Sequence, residues 1–219
     1  MKPFNKYFDH TLLKADASET QILDLCRQAM EHDFASVCVN GCNAALCAEA
    51  LADSSVKVAA VVGFPLGAMS TSAKVFEASQ AINDGASEID TVINIGHLKE
   101  GKYTRIASEL KQLADLCHSN GALLKVIIET CLLTDEEKVA ACEVVTDSGA
   151  DFIKTSTGFS TGGATEEDVK LMAANIGPDV KIKASGGIRT LDDANRFIKA
   201  GASRLGCSAS VAIMAEYLK

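Results

Sequence analysis

The 219-residue chain reads as an α/β protein with one domain, residues 1–219, folded as a (β/α)8 TIM barrel. Three observations predict this. Eight short β-like runs alternate with amphipathic stretches, as repeated strand–helix units require. The runs are apolar almost throughout, which suits a parallel sheet covered on both faces. A small residue followed by Gly-Ala recurs just before strands, in DGASEID, SGADFIK and AGASRLG. That phrase marks a helix ending in a C-cap glycine, repeated along the chain. A doubly wound open sheet is the structural alternative, weakened because no G-x-G-x-x-G follows the first strand.

The strand candidates, in order, are 8–11 (FDHT), 35–40 (ASVCVN), 57–64 (KVAAVVGF) and 88–95 (EIDTVINI). Then come 123–130 (LLKVIIET), 152–157 (FIKTST), 181–186 (KIKASG) and 204–208 (RLGCS). Helical periodicity is plain in 18–33, 104–119 and 134–149. The last opens with Thr134 three residues before Glu137, a capping-box pattern, and its Asp135, Glu136 and Glu137 suit a helix N-terminus. There is no linker and no low-complexity segment.

A net charge of −8 with no basic tract argues against nucleic acid or an anionic membrane as partner. No stretch approaches the apolar length that crosses a bilayer, and MKPFNKYFDHTLLK lacks a signal-peptide core, so the expected location is the cytoplasm. Eight cysteines invite a disulfide reading, but a chain this long and core-rich needs no staples. No C-x-x-C occurs and the four histidines are scattered, so no metal site is expected.

Two lysines carry the chemistry. Lys154 interrupts ADFIKTSTGF and Lys183 interrupts VKIKASGGIR, each near a strand end and before a glycine turn. Lysine is almost never fully buried without a reason. One held beside a second cation loses pKa and becomes a nucleophilic amine, the group that makes a Schiff base with a carbonyl. The plainer alternative is that they snorkel outward from strand ends.

In this fold the site lies at the C-terminal ends of the strands. The polar residues there are Asp9, Thr11, Cys38, Asn40, Asp90, Asn94, Lys125, Glu129, Lys154, Ser156 and Lys183. Lys125 and Glu129 share one strand face, as a site pair or as a local ion pair toward the helices. The last two strands end in SGGIR (185–189) and RLGCSAS (204–210), where this fold commonly binds phosphate. Gly186, Gly187, Gly206 and Ser208 would let backbone N–H groups approach an anion at a helix start.

DHTLLK (9–14), VVGFPLGA (61–68), EIDTVINIG (88–96), LLKVIIETCLLTDEEK (123–138), GADFIKTSTGF (149–159) and KASGGIRT (183–190) resemble the deoxyribose-phosphate aldolase family, over Asp9 to about Ala212. The resemblance implies a class I aldolase on a (β/α)8 barrel. Such an enzyme interconverts 2-deoxyribose 5-phosphate with glyceraldehyde 3-phosphate and acetaldehyde, without metal or other cofactor. It implies Lys154 as the Schiff-base lysine, Lys183 as the second active-site lysine, Asp90 as the proton-relay carboxylate and Asp9 as its support. Gly158, Gly186, Gly187, Arg189, Gly206 and Ser208 fall on the phosphate-binding loops. Lys183 is expected to depress the pKa of Lys154. The partners would be the sugar phosphate and acetaldehyde alone, with a homodimer as candidate assembly.

Three stretches depart from the family pattern. Gly41-Cys42-Asn43 follows VCVN where a proline and an aromatic or basic residue are usual. Ser208-Ala209-Ser210 replaces two serines and a glycine. Tyr217 is the only candidate for a C-terminal tyrosine. Cys38 is a further candidate: a partly exposed thiol near lysines would be ionised enough to meet electrophilic enals, unless it is a buried inert thiol.

Overall fold

A computed structural model describes residues 2–219. Eight parallel strands close in sequence order: β1 Phe8–Leu12, β2 Ser36–Asn40, β3 Lys57–Val62, β4 Glu88–Val92, β5 Leu123–Ile127, β6 Phe152–Lys154, β7 Lys181–Ser185 and β8 Arg204–Cys207. β8 pairs back onto β1, so no sheet edge remains. The expected (β/α)8 barrel is the fold.

The helices are α1 Glu19–Glu31, α2 Ala44–Ala50, α3 Thr71–Asn83, α4 Ile95–Lys99, α5 Tyr103–Ser119, α6 Asp135–Asp147, α7 Glu166–Asn175, α8 Leu191–Ala200 and α9 Ser210–Tyr217. The anticipated capping box of α6 is present, with Thr134 and Glu137 each bonding the other's backbone N–H. The three Gly-Ala phrases follow α3, α6 and α8, and Gly85, Gly149 and Gly201 take the positive φ that ends each helix.

Strands stop earlier than the apolar runs suggest. β4 ends at Val92, and Asn94 leaves it to cap α4, accepting from the His97 N–H. β6 is three residues, because beyond Lys154 the chain turns into the loop that Gly158 reverses at φ 85°. The apolar core has two parts. Most of it lies between sheet and helices, with Val37, Ile89, Leu124, Val126, Ile153 and Leu205 facing the helix layer. A small cluster of Leu13, Cys38, Ala59 and Val61, with Phe64 packed on it, fills one side of the barrel interior. The other side is ionic.

Candidate active site

β4 through β8, with β1, turn their charged residues inward. Lys154 lies beside Lys183 in the β6–β7 register, and Asp90 beside Lys125 in the β4–β5 register. Asp90 is the hub. Its Oδ2 lies 2.8 Å from Lys154 Nζ and 2.7 Å from Lys183 Nζ, and its Oδ1 lies 2.7 Å from Lys125 Nζ. Lys183 also contacts Asp9 Oδ2 at 2.5 Å. Asp9, Asp90, Lys125 and Lys183 are fully enclosed and Lys154 is 2% exposed.

These environments split the three lysines. Burial lowers the proton affinity of each, and their neighbours decide the outcome. For Lys183, Asp9 and Asp90 overcome burial and raise the pKa. For Lys125, Asp90 and Glu88 do the same. Lys154 ends lowered: burial dominates, Asp90 opposes it, and Lys183 adds to the lowering. The sequence reading assigned this depression to Lys183, whereas loss of solvent is the larger cause and Lys183 the lesser one. Nor does Lys183 shed its own charge, since two carboxylates hold it protonated. Burial would push both aspartates up, yet the cations around them hold Asp9 and Asp90 below the usual carboxylate range.

Of the three, Lys154 alone lines the open cleft, about 250 Å³, at the C-terminal mouth of the barrel. The same cleft is lined by Thr11, Gly158, Gly186, Gly187, Arg189, Gly206 and Ser208. All six residues expected on phosphate loops therefore surround one space with the lysine at its base. Gly186 and Gly187 both take φ 83°, which L side chains rarely adopt. A Cβ on Gly186 would also meet Gly163 Cα at 2.9 Å. Gly206 has a second role: a Cβ there would lie 3.0 Å from Lys183 Cε, so its bareness makes room for the lysine stem. α9 starts here without a side-chain cap. Ser210 is buried and donates to Cys207 O, which leaves Ser208 as the exposed hydroxyl of that loop.

Other expectations need correction. Cys38 does face the lysines, 4.0 Å from Asp90 Oδ2, but it is fully buried and burial raises its pKa, so it is neither exposed nor ionised. Glu129 does not join Lys125. It lies beyond the end of β5 in a left-handed conformation, φ 54°, and accepts from the Thr157 N–H and hydroxyl. Asn40 donates to Leu13 O at 3.3 Å. Tyr217 stacks on Phe4, ring centroids 4.3 Å apart, well away from the cleft.

Sequence reasoning missed two members of the charged group. Arg204 Nη1 lies 2.5 Å from Asp9 Oδ1, and its Nη2 lies 3.1 Å from Glu88 Oε1. Glu88 Oε2 in turn lies 2.6 Å from Lys125 Nζ. A signal existed: Glu88 stands two residues before Asp90 on one strand, hence on the same face. A separate buried pair, Lys74 with Glu109 at 2.5 Å, sits behind the barrel wall, and nothing in the pattern of α3 announces it.

Fold and site together define a barrel aldolase. The chain belongs to the DeoC/LacD family of aldolases, whose sequence model matches residues 4–214. It is similar to proteins named deoxyribose-phosphate aldolase. One from Streptococcus equi subsp. zooepidemicus is 55% identical over 210 residues, 96% of this chain and 94% of the relative. One from Alkaliphilus oremlandii is 56% identical over 209 residues, 95% of this chain and 94% of the relative. Among solved structures, QR15, an aldolase, superposes with a TM-score of 0.94 at 42% identity, covering all of this chain and 97% of that one. The tetrameric deoxyribose phosphate aldolase from Aeropyrum pernix gives 0.92 at 30% identity, over 99% and 91% of the two chains.

Proposed function

We propose that the protein reversibly cleaves 2-deoxyribose 5-phosphate to glyceraldehyde 3-phosphate and acetaldehyde through a Schiff base on Lys154. The observation that carries this reading is that Lys154, alone of the three lysines inside the barrel, opens onto the cleft and has a lowered pKa. Neutral Nζ attacks the acetaldehyde carbonyl carbon, and the carbinolamine takes up a proton at its hydroxyl and loses water to give an iminium. The iminium draws electron density from the methyl carbon, which loses a proton to a relay through Asp90, Lys183 and water and becomes an enamine. The enamine carbon attacks the aldehyde carbon of glyceraldehyde 3-phosphate, and the new alkoxide takes a proton. Water then releases the product from Lys154, and cleavage retraces these steps.

The phosphate would lie among Gly158, Gly186, Gly187, Arg189, Gly206 and Ser208, with Thr11 on the cleft wall. Anchored far from the bond that breaks, it orients the reacting carbonyl. No metal or organic cofactor has a part in these steps. Among the described residues no helix is long and apolar enough to cross a membrane. The same reading includes a cytoplasmic setting, no nucleic-acid partner and a homodimer, whose chain number sedimentation velocity would read.

The deciding experiment is borohydride reduction in the presence of acetaldehyde, followed by mass mapping. The added ethyl group should appear on Lys154 and vanish, with turnover, in Lys154→Ala. Labelling of a different lysine would overturn the assignment.

A further inference from the structure

The charged side chains inside the barrel form a closed loop. Contacts run from Asp90 to Lys183, Asp9, Arg204, Glu88 and Lys125, and back to Asp90, none longer than 3.1 Å. Anion and cation alternate throughout, so three carboxylates face three cations and the loop is balanced by itself. Lys154 hangs outside it, joined by a single contact to Asp90 at 2.8 Å. Protonated Lys154 is therefore one positive charge more than the enclosed group can match. Releasing that proton leaves every remaining charge paired, in a space where an unmatched charge is costly.

We infer that this loop sets the proton affinity of Lys154 through its net charge, with Glu88 and Arg204 as positioning residues that touch neither substrate nor Lys154. The inference rests on the Lys154 reading above. The groups facing Lys154 are Asp90 from β4, Lys183 from β7 and the Cys38 thiol from β2, with Lys125 from β5 held on the far oxygen of Asp90. At the barrel floor Arg204 also faces Lys2 and the Phe152 ring, with Lys181 over the same ring. Lys2 and Lys181 lie nearer to solvent than the loop, so their charges are screened.

Two substitutions far from the cleft should move Lys154 in opposite directions. Arg204→Met leaves the loop one negative charge in excess, which Lys154 balances by keeping its proton, so the amine appears only at higher pH. Glu88→Gln leaves one positive charge in excess, and the amine persists to lower pH. One elementary charge three or four contacts away along the loop, at an effective dielectric near 20, moves a pKa by about one unit.

The test measures the rate of borohydride-trapped imine formation from acetaldehyde against pH. The ascending limb should move up by about one pH unit in Arg204→Met and down by about one unit in Glu88→Gln. It should stay in place in Arg204→Lys, which keeps the charge, and return toward wild type in the double variant Arg204→Met/Glu88→Gln. Either single variant fixes the sign alone, so a misfolded partner does not silence the test. Unmoved limbs, or limbs moving the same way, with trapping still on Lys154, would overturn the loop inference and leave the Schiff-base reading standing. Trapping on another lysine in the wild type would overturn both.

Discussion

Replacing Asp90 by Asn separates the two halves of the chemistry. The substitution keeps the size of the side chain and an oxygen acceptor, and removes one charge that three ammonium groups contact at 2.7 to 2.8 Å. Breaking a buried ion pair from one side costs about 3–5 kcal/mol, and the retained oxygen places Asp90→Asn near the lower end. Urea unfolding should therefore show a lower midpoint with an unchanged slope. Lys154 meanwhile loses its only carboxylate partner, so its neutral form is favoured further and imine formation with acetaldehyde should persist. Carbon–carbon bond making should not, because the group that moves the methyl proton has gone. A positioned acid–base group is worth about 10²- to 10⁴-fold, or roughly 3–5 kcal/mol of barrier. The assay pairs single-turnover borohydride trapping with steady-state cleavage of 2-deoxyribose 5-phosphate. Retained trapping with turnover down at least a hundredfold is the expected result. Wild-type values for both steps would refute the relay role and make Asp90 a structural partner of the lysines. Loss of trapping in a folded variant would refute the charge argument.

Lys183→Leu removes a cation that Asp9 and Asp90 hold, so kcat should fall about 10²- to 10⁴-fold and the imine-forming limb should move to higher pH; a kcat within threefold of wild type would remove Lys183 from the mechanism. Gly206→Ala pushes a methyl to about the 3.0 Å approach of Lys183 Cε, overpacking worth about 1–3 kcal/mol, and steady-state kinetics should show kcat falling more than KM rises. Cys42 is exposed and Cys38 enclosed, so iodoacetamide followed by peptide mapping should label Cys42 in the native protein and reach Cys38 only in denaturant.

The chain itself determined the barrel and the place of its chemistry. Strand runs that are apolar on both faces need cover on both faces, and the recurring Gly-Ala phrase sets the helix-to-strand turn three times. Lys154, Lys183 and Asp90 could be found because a charge inside such a run has no local use. Glycines after β7 were legible as a turn that lets an anion approach the backbone. Local pattern did not reveal where the strands stop, because Asn94 leaves the ladder to cap the next helix and Glu129 leaves it for a contact with the loop after β6. Cys38 looked reachable on strand alternation alone, and only the packing of Leu13, Ala59 and Val61 around it showed that it is closed off. The division of labour among the lysines was decided by tertiary structure alone. All three are buried lysines on strands, and sequence distinguishes them only by motif. What separates them is the number of carboxylates each meets, two or more for Lys125 and Lys183 and one for Lys154. Those carboxylates arrive from strands far apart in the chain, as Asp9 on β1 and Asp90 on β4 do at Lys183 on β7. Proton affinity inside a low-dielectric barrel depends on the net charge of everything enclosed with it, and that sum exists only once the sheet has closed.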